Sequence, residues 1–119
     1  MSLSVYLSVE QKCPHCAGRI GGDYVWGRDI THNLTRMAEE AGIYEAMWRP
    51  GEQAPPIVTA AEVLPLLKGG LAKLRSDPAR FARFNPSNGW GNYDGLVEFV
   101  EEYIKACESF PAARIEVSR

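Results

Sequence analysis

The chain has 119 residues, 45% apolar and 24% charged, with a formal net charge of −2. That length suits one domain over 1–119 with a core needing no staples, and the near-neutral charge makes nucleic acid an unexpected partner. No apolar run is long enough to cross a bilayer, so no membrane association is expected.

The opening MSLSVYLSVEQK lacks the basic start and apolar block of a signal peptide. With three cysteines, an odd number, this predicts a reducing cytoplasm. Val5, Leu7 and Val9 alternate with Tyr6 and Ser8, the period of a half-buried strand. The stretch from Gln11 to Asp23 contains Cys13-Pro14-His15-Cys16 and three glycines, which predicts a turn or loop. Tyr24-Val25-Trp26 is then a strand returning antiparallel to the first.

A first helix is expected from Thr31 to Ala41, capped by Asp29 or Thr31 and ended by Gly42. Pro50, Gly51, Pro55 and Pro56 form a stiff connector. Thr59 and Glu62 have capping-box spacing, and Val63, Leu66, Leu67, Leu71 and Leu74 mark one face of a second helix. Pro65 and Gly69-Gly70 predict a kink or break inside it. Asp77-Pro78 starts a short helix through Phe81 and Phe84. After a loop from Asn85 to Asp94, the last helix carries Leu96, Val100, Ile104 and Cys107 on one stripe, so Cys107 is expected to be buried. Ile115 and Val117 give a closing strand, expected to pair antiparallel with the first. The fold class is therefore α+β, a small antiparallel sheet of N-terminal hairpin and C-terminal strand, covered on one face by three to four helices.

Several residue groups could carry chemistry, and each has a plainer reading. Cys13 and Cys16 have knuckle spacing, for which zinc is the fitting metal, but two further ligands are needed. The remaining candidates are His15, His32 and Cys107. A redox dithiol would begin a helix, and Ala17 to Gly22 forms a poor one. The plainer reading is two reduced thiols in a hairpin loop. His32 and Asn33 stand at a helix start, where free N–H groups favour anions, or they simply serve the helix end. An enzyme would use His32 as acid–base, but no partner residue can be named from the sequence.

Trp48-Arg49 is either a stacked pair at a binding surface or a core tryptophan beside a surface cation. Asn88 and Trp90 lie in a glycine-flanked loop that either presents an indole or tucks it inward. Lys68, Lys73, Arg75, Arg80 and Arg83 form a basic region with no nucleic-acid module, which reads as a solvated face.

Ile30-Thr31-His32-Asn33-Leu34, the Met37-to-Tyr44 run, Trp48-Arg49-Pro50, the Asn85-to-Gly91 loop and Val117-Ser118-Arg119 together resemble a family of small uncharacterised proteins from bacteria and their phages. The resemblance covers about 30–119 and implies no activity. It puts weight on the His32-Asn33 pair and the Asn88-Gly89-Trp90-Gly91 loop rather than on the cysteines, which makes any metal site an accessory. The expectation is a binding or interaction module for a small molecule or protein. Its patch would comprise His32, Asn33, Trp48, Arg49, Asn88 and Trp90. A zinc module and an enzyme are the alternatives.

Overall fold

Alternation along the first strand sets the two faces of the sheet. The computed structural model describes residues 2–12, 19–87, 89 and 91–119, with backbone alone for residues 10–12 and 19–23. Strand β1 (Ser2–Lys12) lies centrally, flanked by β2 (Arg19–Thr31) and β3 (Arg114–Ser118), both antiparallel to it. Val5 faces Val117 and Leu7 faces Ile115, so the terminal strands pair as their alternation predicts. Leu3, Val5 and Leu7 are fully buried. Burial of such side chains stabilises by roughly 1.5–3 kcal/mol each.

A register shift lies between Leu7 and Ser8, where the partners jump from Trp26 to Tyr24. This bulge lets Val25 and Trp26 line one groove while Tyr24 turns to the opposite face beside Tyr6, ring centroids 5.2 Å apart. The returning strand is much longer than the three residues Tyr24 to Trp26 that composition marked. Gly22 and Gly27 pair with Glu10 and Tyr6 of β1, a tertiary fact that local propensity does not register.

The expected helix from Thr31 to Ala41 is corrected in detail. Thr31 Oγ1 accepts from the Asn33 N–H at 3.2 Å, opening a 3₁₀ turn, His32–Leu34. Helix α1 (Thr35–Glu40) follows, and Gly42 ends it at φ +78°. A further helix, α2 (Tyr44–Trp48), was not anticipated, since five residues are too few to show a period.

Helix α3 (Ala60–Ser76) is continuous through Pro65 and Gly69-Gly70, so of the expected kink or break the break does not occur. Leu66, expected on its apolar face, is exposed. Its capping box is formed as its sequence predicts. Pro65 is on the exposed side, where water can satisfy the carbonyl whose partner it removes. Gly70 serves packing: a Cβ there would lie 2.0 Å from Ile43 Cγ2, so its absence lets α2 approach α3. Helix α4 (Pro78–Ala82) is capped by Asp77 and stops before Phe84, which lies in the following turn. Asn92 caps α5 (Tyr93–Ser109), whose apolar stripe, Cys107 included, is buried. Five α-helices are thus seen among the described residues, with a sheet, in an α+β fold. None of them is long and apolar enough to cross a membrane.

Candidate functional site

The end of β2 delivers His32, and α2 delivers the residue that holds it. The Trp48 indole N–H donates to His32 Nδ1 at 2.9 Å. Because Nδ1 accepts, the neutral ring carries its proton on Nε2. Trp48 itself is only 2% exposed, a core residue whose polar tip needs a partner. Of its two sequence readings, the core one holds. Its ring stacks on Tyr44, centroids 5.5 Å apart and planes 25° from parallel.

Arg49 does not stack on Trp48. Its Nε donates to the Tyr44 hydroxyl at 3.2 Å and its Nη1 to Glu52 at 2.9 Å, while its backbone carbonyl accepts from Gln53 Nε2 at 2.9 Å. The cation–π contacts among the described residues are Arg36 over Phe84 and Arg80 over Phe81. Arg119 reaches the same Glu52 carboxylate at 3.5 Å. The hydrogen bond from Arg49, and then the charges of Arg49 and Arg119, hold the Glu52 carboxyl below its ordinary range. A line of contacts therefore runs from His32 through Trp48, Tyr44 and Arg49 to Glu52 and Arg119. Sequence reasoning missed Tyr44, Glu52 and Arg119. For Tyr44 and Glu52 the spacing, four residues to Trp48 and three from Arg49, was the available signal; Arg119 had none.

The loop before α5 meets the same seam. Gly91, at φ +93°, packs so closely that a Cβ would lie 2.6 Å from Thr31 Cγ2 and 3.1 Å from Leu34 Cγ. Asn85 Oδ1 accepts from the Tyr93 N–H at 2.8 Å and pins the loop's two ends together. Asn33 is exposed beside this contact. Asn88 and Trp90, the other two expected patch residues, lie outside the described residues, as do Cys13 and Cys16.

Among the described residues no three His, Cys, Asp or Glu side chains lie close enough to share a metal ion. Cys107 is a free thiol within the core. Two depressions flank the structure described so far. One, of about 310 Å³, is lined by Glu39, Gly42, Tyr44 and Glu45. The other, of about 280 Å³, lies between Val25, Trp26 and the last turns of α5. Neither is lined by His32. The basic region is largely neutralised: Arg75 pairs with Glu101, Arg80 with Glu40 and Lys68 with Glu108. No family model, curated protein or solved structure matches the chain.

Proposed function

We propose that the protein is a binding module whose patch lies at the seam of the β2 end, α2 and the loop before α5. His32 and Arg49 are its described polar contacts, with Asn33, Asn88 and Trp90 assigned from the sequence. The observation that carries this reading is the Trp48-to-His32 hydrogen bond. It consumes one ring nitrogen internally and leaves Nε2–H as an oriented donor on a half-buried ring. A histidine held in this way can fix one acceptor atom of a ligand. On the resemblance above, the setting is a bacterial or phage protein, and the odd cysteine count supports a reducing cytoplasm.

The acid–base reading finds less support, because the group facing His32 Nδ1 is an indole donor. A catalytic base is usually oriented through a carboxylate or carbonyl that accepts from its ring. The test uses His32→Asn, since an asparagine oxygen can stand near Nδ1 while nothing replaces Nε2. A thermal-shift screen of charged and polar metabolites against the wild type identifies ligands. The variant should keep its melting temperature without ligand and lose the shift with it. Undiminished shifts in the variant would remove His32 from the site.

A further inference from the structure

Two guanidiniums converge on one carboxylate at the end of this line of contacts. Arg49 Nη1 and Arg119 Nη1 lie 2.9 Å and 3.5 Å from Glu52 Oε2. The two guanidiniums thus share a single side-chain carboxylate. The side chains of Arg49, Glu52 and Arg119 are 44%, 56% and 42% exposed, so the cluster is open to exchange with solutes. Exposed ion pairs add little to folding stability, so stability is a weak reason for the arrangement.

Arg49 differs from an ordinary surface arginine in how it is held. Tyr44 accepts from its Nε, and Tyr44 rests on buried Trp48, which His32 fixes in turn. Its guanidinium is therefore oriented before any ligand arrives, which reduces the ordering cost of binding. Glu52, in contrast, belongs to a single 3₁₀ turn, Pro50–Glu52, and is itself exposed. The fork of a guanidinium matches a carboxylate in shape as well as charge.

We propose that Arg49 and Arg119 form a clamp for the carboxylate of a small-molecule ligand, which Glu52 occupies until that ligand displaces it. The inference rests on the binding module proposed above and names the chemistry of its ligand. Glu52 acts as an internal competitor. Removing its charge frees the clamp, and the affinity for an external carboxylate rises by the reciprocal of the fraction of time the clamp had stood free of Glu52.

Acetate and inorganic phosphate, titrated at constant ionic strength, are the probes. The readouts are the NMR resonances of the Arg49 Nε–H and the Trp48 Nε1–H. Glu52→Gln should give a saturable response to acetate about tenfold tighter than the wild type, the order expected when a competitor holding most of the population is removed. Adding Arg49→Gln should abolish the Trp48 response, and adding Arg119→Gln should weaken the Arg49 response. The Trp48 resonance before titration shows that each variant is folded. No acetate response in Glu52→Gln, or an equal one after Arg49→Gln, overturns the clamp. Phosphate binding more tightly than acetate overturns the carboxylate assignment. If acetate fails while His32-dependent ligands still bind the wild type, the clamp falls and the binding module stands.

Discussion

Trp48 and Trp26 each stack on a tyrosine, Tyr44 and Tyr103 respectively. Around Trp48 the polar tips lead outward, from indole to His32 and from Tyr44 to Arg49. Around Trp26 the polarity ends inside. The Tyr103 hydroxyl is fully buried and has no hydrogen-bond partner among the described residues. The two clusters use similar rings for different ends. One fixes the orientation of side chains at the surface, and the other fills the space between β2 and α5, with Phe99 edge-on to both Trp26 and Tyr103.

The largest effect that could break this contrast is at Trp48. Trp48→Ala should lower stability by about 3–5 kcal/mol, the cost of emptying a core aromatic site. Chemical denaturation measures it. A loss below ~1 kcal/mol would mean that Trp48 does not seat the cluster. Gly70→Ala acts on the same seat from behind, by pressing a methyl against Ile43, and should cost about 1–3 kcal/mol. Gly69→Ala is the control. A Cβ at Gly69 meets nothing within 4 Å, so this variant should gain about 0.5–1 kcal/mol from helix propensity alone.

Next in size is His32→Ala, which leaves the Trp48 N–H without its acceptor and should cost about 1–3 kcal/mol. His32→Asn should recover most of that loss. Equal losses for the two would show that the imidazole matters by its packing instead of its Nδ1.

Much of the frame was legible because its signals are local. Val5 and Leu7 alternate, Thr59 and Glu62 have capping-box spacing, Asp77 precedes a proline, and Cys107 continues the stripe of Leu96, Val100 and Ile104. The misses share another physical origin. Pro65 and Gly70 look like breakers until their surroundings are known, one facing water and the other facing Ile43. Helix α2 is stabilised by burying Ala46, Met47 and Trp48, and its five residues are too short for periodicity to show. At the site, His32 and Arg49 were legible as candidates. The seating of Trp48 against His32, and the convergence of Arg119 on Glu52, join positions far apart in sequence that no local pattern relates.

The smallest expected effect is Tyr103→Phe, and it sharpens the comparison most. The substitution keeps the ring stacked on Trp26 and removes a hydroxyl that is buried without a partner among the described residues. Leaving such a group unsatisfied is unfavourable, so Tyr103→Phe should be neutral or stabilising by about 1 kcal/mol. A loss of more than ~1 kcal/mol would reveal a hydrogen bond at that hydroxyl and erase the distinction from the Trp48 cluster. Alkaline pH supplies an independent reading of the same interior. Burial pushes the Tyr103 phenol upward, and pushes the Cys107 thiol up from 9.0 to about 12. Each group is neutral in the fold and ionises more readily when unfolded. Their stabilising contributions are therefore complete below the unfolded values and decline as pH rises toward the folded ones. Stability should begin to fall near pH 9, with Cys107 acting first and Tyr103 adding to the decline above its ordinary value of 10.0. Cys107→Ala should flatten the early part of that decline, and Tyr103→Phe the later part. An unchanged alkaline limb in both variants would place the titrating groups elsewhere in the molecule.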